Sequence, residues 1–351
     1  MYDTAVIDMR TEFQRGIAEA VEILRQGDVV AFPTETVYGL GADAMRVEAV
    51  RAIFAAKGRP ADNPLIVHVA SPEGAMDIAH VTRPAQELMD AFWPGPLTIV
   101  MDKRSCIPYE VTAGLPTVAV RMPDNEVALT LIEESGLAIA APSANSSGRP
   151  SPTRALDVLE DMNDRIPLIL DGGQCLVGVE STVVSLKDGH PVVLRPGAIT
   201  PGMIHDVLGE CGVADSVLAP LKSGEAAPSP GMKYKHYAPR AKVVIIDGDI
   251  QEIANTTIDL YDSAVKSGKH CLIIATSQTS DFYGGCDYAI MGDRNDPASA
   301  CRALFAFLRD ADRSGVDEIL LEALPAQAMA LAFMNRALRA SGFQVVHAHD
   351  E

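Results

Sequence analysis

The segment KGRPADNPLIVHV (57–69) brings together two cations, an amide and a histidine. Lys57 and Arg59 leave a predicted helix, and Asn63 precedes a predicted strand that carries His68. Loops held between rigid elements often bind ligands, and two cations beside Gly and Pro suit a phosphate chain. The same cations could instead stabilise the C-terminus of the helix, and His68 could be an ordinary core histidine. The residues alone leave both alternatives open.

A second candidate is Arg121, which ends an otherwise apolar run in VAVRMPDN (118–125). A charge at such a position is costly unless it is paired, so we expect Arg121 to meet a carboxylate from a side chain or a ligand. Two more polar residues stand at predicted strand boundaries, Ser181 in VGVESTVV and Arg195 in VLRPGAIT.

The segment APSANSSGRPSPT (141–153) is polar and follows a buried run, with Ser143, Asn145 and Ser151 among its hydroxyls and amides. This composition is typical of a turn cluster. It is equally typical of a loop at the C-terminal end of a strand, where α/β sheets bind their ligands.

The segment FPTETVYGLGADA (32–44) matches the G-x-G-x-x-A dinucleotide template and precedes a predicted helix. The template also requires an acidic residue about 20 positions later, after the next strand. The nearest candidate, Asp62, comes before that strand. We therefore favour a different role, in which small residues let the backbone pass close to a ligand beside the Thr36 hydroxyl.

Alternating apolar runs and helical patterns position these residues in the first two hundred positions. We predict strands at 28–32, 65–70, 97–102, 117–122, 137–141, 167–171, 181–186 and 192–195. Helices are predicted at 12–26, 46–57, 84–92, 124–135, 153–162 and 201–209, with Asp124 as an N-cap and Gly136 as a helix stop. This alternation indicates an α/β sheet domain.

A linker composition, rich in Pro, Gly, Ser and Ala, follows at 220–231. Residues 222–242 carry five cations against a single acid, Glu225. A second alternation then predicts strands at 243–247, 271–275, 287–291, 318–322 and 343–347 and helices near 251–267, 298–313 and 327–340. We predict an α/β domain at 1–215, a basic linker at 216–241 that closes over the site, and a smaller Rossmann-like α/β domain at 242–351.

Charge and composition narrow the function classes. The 351 residues carry a net charge of −18, and residues 1–205 hold 16 cationic against 27 acidic side chains. Tight nucleic-acid binding needs a basic face, so we do not expect it. The six cysteines form no CxxC pair and no zinc-type cluster, and no run is long and apolar enough to span a membrane. P-loop and G-x-S-x-G motifs are also missing from the sequence. We expect a cytoplasmic protein with reduced thiols and no metal held by its own side chains.

Six ordered motifs together resemble the YrdC-like threonylcarbamoyl-AMP synthases: FPTETVYGLGADA, KGRPADNPL, FWPGPLT, APSANSSGRPSPT, VGVESTVV and VLRPGAIT. SPGMKYKHYAP (229–239) and the second α/β domain resemble the long, two-domain form of that family. The resemblance covers essentially the whole chain. It implies an open, twisted-sheet catalytic domain with a cavity lined by cations.

The resemblance implies synthesis of L-threonylcarbamoyladenylate from L-threonine, bicarbonate or CO2, and ATP with Mg²⁺, releasing pyrophosphate. Partner proteins would then transfer the threonylcarbamoyl group to tRNA. Lys57 and Arg59 would be catalytic, and ATP would lie among Lys57, Arg59, Asn63, Thr117, Ser143, Asn145, Ser151, Arg195, Tyr234 and His236. Threonine would lie among Thr36, His68, Arg121 and Ser181. The alternative is a nucleotide- or RNA-binding module that uses the same basic cavity.

Overall fold

The computed structural model describes residues 2–219 and 237–348. These residues form two compact units, one from 2–147 and 151–217, the other from 148–150, 218–219 and 237–348. In the part of the chain that is described, no helix is long and apolar enough to cross a membrane.

The first unit is built on a large mixed sheet. Its strands are β1 (Ala5–Asp8), β2 (Val30–Phe32), β3 (Gly39–Asp43), β4 (Ile66–His68), β5 (Ala79–His80), β6 (Leu97–Lys103), β7 (Thr117–Arg121), β8 (Ile139–Ala140), β9 (Leu168–Asp171), β10 (Thr182–Ser185), β11 (Val192–Arg195) and β12 (Gly212–Val213). Its helices are α1 (Phe13–Gln26), α2 (Val47–Lys57), α3 (Pro72–Ile78), α4 (Arg83–Phe92), α5 (Tyr109–Thr112), α6 (Glu126–Ser135), α7 (Ala155–Met162) and α8 (Pro201–Leu208). Short 3₁₀ turns lie at Lys187–Gly189 and Asp215–Val217.

The order of the strands differs strongly from their order in the chain: β1-β9-β2-β3-β8-β4-β7-β6-β10-β11-β12, with β5 beside β6. Strand β4 is parallel to β7 and antiparallel to β8, and β7 is antiparallel to β6. Strand β10 runs parallel to β6 and antiparallel to β11. Because directions alternate, the carboxyl ends of β4, β7 and β11 share one edge with the amino ends of β6 and β10.

Apolar side chains from the helices cover this sheet. Helix α1 buries Ile17 and Leu24, which join a cluster with Val30 and Leu168 from the strands. A second, larger cluster includes Ile53 from α2 and residues of the central strands. Packing against the helices therefore holds the strands that carry the site residues in place.

The second unit is a parallel five-stranded sheet in the order β15-β14-β16-β13-β17. Its strands are β13 (Lys242–Asp247), β14 (Cys271–Thr276), β15 (Tyr288–Gly292), β16 (Glu318–Glu322) and β17 (Val345–His347). Its helices are α9 (Ile250–Lys266), α10 (Pro297–Arg313) and α11 (Ala330–Ser341), with a 3₁₀ turn at Ser280–Tyr283.

A fully buried carboxylate, Glu322, lies at the end of β16 in this unit. It accepts hydrogen bonds from the Thr276 amide (3.0 Å) and hydroxyl (2.9 Å). The hydroxyls of Thr279 (2.5 Å) and Tyr283 (2.7 Å) donate to its other oxygen. These four donors satisfy the carboxylate and join β14 to β16.

The predicted elements of both α/β domains are confirmed, most of them to within two residues at each end. One capping residue is wrong: the N-cap of α6 is Asn125, whose side chain accepts from the Ala128 amide at 3.1 Å, and not Asp124. The helix stop at Gly136 is confirmed. Six short strands and helices were not predicted: β1, β3, β5, β12, α3 and α5. The linker boundaries stay a prediction, because 220–236 lies outside the described residues.

Candidate active site

The shared edge of the first sheet collects five of the predicted site residues, which we call the Arg121 group: Thr36, His68, Arg121, Ser181 and Arg195. His68 and Arg121 end the neighbouring strands β4 and β7, where they are register partners. Ser181 immediately precedes β10, and Arg195 ends β11. All five side chains are buried.

The guanidinium of Arg121 has a partner on each of its three nitrogens. Its Nη2 lies 2.6 Å from Oε2 of Glu35, and its Nη1 donates to the Thr36 hydroxyl at 3.0 Å. Its Nε donates to the Gly95 carbonyl at 3.3 Å. The expectation that Arg121 meets a carboxylate is therefore confirmed, with Glu35 as the partner.

His68 is held as a neutral imidazole beside this arginine. Burial and the positive charge of Arg121 lower the pKa of His68 to about 3. Its Nδ1 is buried and has no hydrogen-bond partner among the described residues. A neutral ring with an unused nitrogen can bind a hydroxyl group of a ligand without adding charge.

Ser181 connects the arginine of β11 to the middle of the sheet. Arg195 donates from Nε to the Ser181 carbonyl and from Nη2 to its hydroxyl, both at 3.1 Å. The Ser181 hydroxyl also lies 2.8 Å from that of Thr98. The close fit here depends on Gly197, since a Cβ at that position would lie 2.4 Å from the Thr182 amide nitrogen.

A second set, the Lys57 group, contains Lys57, Arg59, Asn63, Ser143 and Asn145. Helix α2 ends at Lys57 because Gly58 takes the left-handed conformation, with φ of 61°. The buried Lys57 ammonium donates to the carbonyl oxygens of Ser143 and of Asn145, the latter at 2.6 Å. Lys57 thus links the end of α2 to the 143–145 loop, so its charge does more than stabilise the helix terminus.

The other members of the Lys57 group surround the same loop. Arg59 donates to the Asn63 carbonyl at 3.2 Å, and the Ser143 hydroxyl donates to Oδ1 of Asn145 at 2.5 Å. Asn63 is fully buried, yet both polar atoms of its side chain lack a hydrogen-bond partner among the described residues. An unpaired buried amide costs free energy, and a bound ligand with donors and acceptors would recover it.

The loop at 141–153 lies at the C-terminal end of a buried strand, as predicted, since it follows β8. Strand β8 runs antiparallel to β4, and Ser143 pairs with Gly39 at the start of β3. The loop therefore lies at the amino end of β4, opposite the Arg121 group. The two groups therefore lie at opposite ends of β4, a strand of three residues that spans roughly 7 Å.

The segment 33–38 joins the two groups. The amide of Tyr38 donates to Pro152 and its carbonyl accepts from Ala144, on the side of the polar loop. Thr36 contacts Arg121 on the other side. The segment 33–38 thus connects antiparallel strands β2 and β3 across the site, and the two glycines that matched a dinucleotide template lie within β3.

Four further predicted residues take different places. The Ser151 hydroxyl, fully buried, donates to the Glu180 carboxylate. Thr117 begins β7, so the length of that strand, roughly 13 Å, separates it from Arg121. Tyr234 and His236 lie outside the described residues. The roles assigned to all four stay predictions.

Sequence reasoning missed Glu35, the carboxylate that pairs with Arg121. The signal was present, because a buried arginine requires a negative partner, and Glu35 is the only charged residue of the sequence between Asp28 and Asp43. What the sequence could not indicate is which of many acids meets Arg121 in space.

Together, the Arg121 group and the Lys57 group have side chains that can bind an amino acid and a phosphate ester. Arg121 can bind a carboxylate, and Lys57, Arg59 and Arg195 can neutralise phosphate oxygens. The described contacts contain no serine or cysteine paired with a histidine in the manner of a covalent catalyst. Such a site can catalyse by positioning and charge stabilisation.

Comparison with known proteins gives matches over both units. Residues 22–197 match the family described as telomere recombination (Sua5, YciO and YrdC), and residues 199–342 match the threonylcarbamoyl-AMP synthase C-terminal domain. Threonylcarbamoyl-AMP synthase from Pyrococcus abyssi is 44% identical over 98% of this chain and 99% of its own length. The enzyme of the same name from Bacillus subtilis is 44% identical over 94% of both chains. The crystal structure of P. abyssi Sua5 complexed with L-threonine superposes with a TM-score of 0.92, at 44% identity, covering 99% of each chain.

Proposed function

The chain belongs to the two-domain threonylcarbamoyl-AMP synthases, and from that membership we propose that it makes L-threonylcarbamoyladenylate from L-threonine, bicarbonate or CO2, and ATP. The resemblance seen in its motifs is confirmed over both units. The observation that most supports the proposal is the grouping of Thr36 and His68 around Arg121, at the opposite end of β4 from the loop that Lys57 binds.

In the proposed reaction, the Arg121 group binds threonine. Arg121 would hold the carboxylate, because a guanidinium matches its two oxygens. The Thr36 and Ser181 hydroxyls and the neutral His68 ring would contact the remaining polar groups of the substrate. The uncharged state of His68 avoids adding a second positive charge beside Arg121.

The Lys57 group and Arg195 would hold ATP. Lys57 and Arg59 would stabilise the charge that develops on the phosphate being attacked, and Arg195 would contact the nucleotide from the edge of β11. Mg²⁺ would enter with the nucleotide. The side chains in this group are cationic or neutral, a donor set that binds phosphate oxygens and leaves the metal to the phosphates.

The chemistry can be written in two balanced steps. After the ammonium group of threonine has released a proton to solvent, the neutral amine and bicarbonate give a carbamate and water. A carbamate oxygen then forms a bond to the α-phosphorus while the bond from that phosphorus to the bridging oxygen breaks and pyrophosphate leaves. No covalent bond to the protein is needed, so positioning and electrostatic stabilisation would supply the rate enhancement.

The product is an activated acyl group on AMP. We propose that tRNA-modifying proteins accept its threonylcarbamoyl group in the cytoplasm. The acidic charge of the chain argues against a role as an independent RNA-binding module.

The test is pyrophosphate release from ATP and bicarbonate, with L-threonine, with L-serine and with neither. We expect release that depends on threonine and on bicarbonate. Lys57→Ala should lower the rate at least ~100-fold, the typical effect of removing one charge-stabilising donor. Arg83→Ala is the matched control, since it removes one cation from an exposed helix position and should retain full activity. Pyrophosphate release at the same rate with and without threonine would refute the proposed reaction.

A further inference from the structure

The ion pair between Glu35 and Arg121 is unusual in its hydrogen bonding. Both residues are at least nine-tenths buried, and their charged atoms lie 2.6 Å apart. Yet neither oxygen of the Glu35 carboxylate receives a hydrogen bond of acceptable geometry from the described residues. The contact neutralises charge, but it leaves the acceptor capacity of the carboxylate unused.

We propose that Glu35 binds the α-ammonium group of threonine and so makes the site specific for an amino acid. The proposal rests on the function proposed above, with the substrate carboxylate on Arg121. A zwitterion carries its two charges one carbon apart, and the adjacent charges of Arg121 and Glu35 are complementary to them. The ammonium has three N–H donors, which would satisfy the carboxylate oxygens that the protein leaves unpaired.

The neighbouring groups differ from Glu35. Asp124 is a second carboxylate near Glu35, but it is exposed to solvent, where pairing with an ammonium adds little. Glu180 already accepts from the Ser151 hydroxyl. His68 is neutral and cannot supply a negative charge. The hydroxyls of Thr34 and Thr36 lie 2.8 Å apart and can accept a hydrogen bond, but they carry no charge.

Space for a ligand lies beside the segment that carries Glu35. Glu35, Thr34, Asn125 and Cys175 share the lining of a cavity of about 220 Å³. The residue therefore borders a volume that a small molecule can enter, although its two carboxylate oxygens are themselves buried.

The competing explanation is that Glu35 only positions Arg121. Two ligands separate the explanations: L-threonine and (R)-3-hydroxybutanoate, which keeps the carboxylate and hydroxyl but has no amine. Calorimetric titration of both ligands into wild type, Glu35→Gln and Glu35→Asp gives the ratio of their dissociation constants for each protein.

We expect wild type to prefer threonine at least tenfold, Glu35→Gln to lose that preference, and Glu35→Asp to retain part of it. A positioning role predicts that Glu35→Gln weakens both ligands by the same factor, and that result would overturn the proposal. If Glu35→Gln does not fold, Glu35→Asp provides the test. Its shorter side chain should weaken the binding of threonine more than the binding of 3-hydroxybutanoate. An unchanged ratio of the two dissociation constants would overturn the proposal. Failure of the wild type to bind threonine would instead reject the proposed function itself.

Discussion

The buried His68 should make the first unit sensitive to acid in a calculable way. Its pKa in the folded protein is about 3, lowered by burial and by the charge of Arg121. In the unfolded chain the ordinary histidine pKa is about 6.5. Because the unfolded state takes up the proton first, the stability associated with a neutral His68 is present above pH 6.5. It is lost progressively as the pH falls toward 3.

Linkage gives the size of this effect. Between pH 7 and pH 5, protonation of His68 in the unfolded state alone lowers the free energy of unfolding by about 2 kcal/mol. His68→Asn removes the titrating ring while keeping a polar side chain. The variant should therefore lose about 2 kcal/mol less than wild type over this interval, whatever its stability at pH 7.

The assay is urea unfolding followed by the fluorescence of Trp93. This is the single tryptophan of the chain, and its indole donates to the Leu97 carbonyl at 2.8 Å within the same unit as His68. His80→Asn is the matched control, because His80 is exposed, and it should keep the wild-type pH dependence. Equal losses in wild type and His68→Asn would refute the reasoning, as would an NMR titration showing His68 protonated near pH 6 in the folded protein.

Two further substitutions test the packing of each unit. Gly197→Ala should destabilise the first unit by about 1–3 kcal/mol, because its Cβ would meet the backbone at Thr182, and the Trp93 transition should move to lower urea; an unchanged transition would contradict this. Glu322→Ala should cost the second unit at least about 3 kcal/mol by leaving buried donors unpaired, measured as faster hydrogen exchange in β14 and β16; unchanged exchange there would show that the network adds no stability.

The elements most easily predicted are those with strong local signals. Helix α6 has an apolar stripe, a polar cap and a terminal glycine, and only the capping residue was assigned one position too early. Strands β13 and β14 of the second unit are continuous apolar runs because both faces of the parallel sheet are covered there. Such signals act over a few residues, so the sequence displays them directly.

The missed elements and contacts depend on distant partners. Strand β3 (GLGAD) has the composition of a loop, and it becomes a strand because β2 and β8 pair with it. Because β8 runs antiparallel to β4, the 141–153 loop and the Arg121 group lie at opposite ends of β4, an arrangement that no local pattern indicates. The Glu35–Arg121 pair joins positions far apart in the chain. These features follow from the order of strands, which local patterns do not encode.

The pairing of β1 with β9 has a consequence for synthesis on the ribosome. Residues 5–8 form their ladder with residues 168–171, so the first strand has no partner until the ninth has been made. At 5–20 residues per second, that interval is about 10–30 s. Strand β2 also pairs with β9 along one of its edges, so that edge has no ladder partner until β9 has been made. The ladder partner of β1 is thus absent throughout most of the translation of this unit, so the backbone hydrogen bonds between these two strands form late.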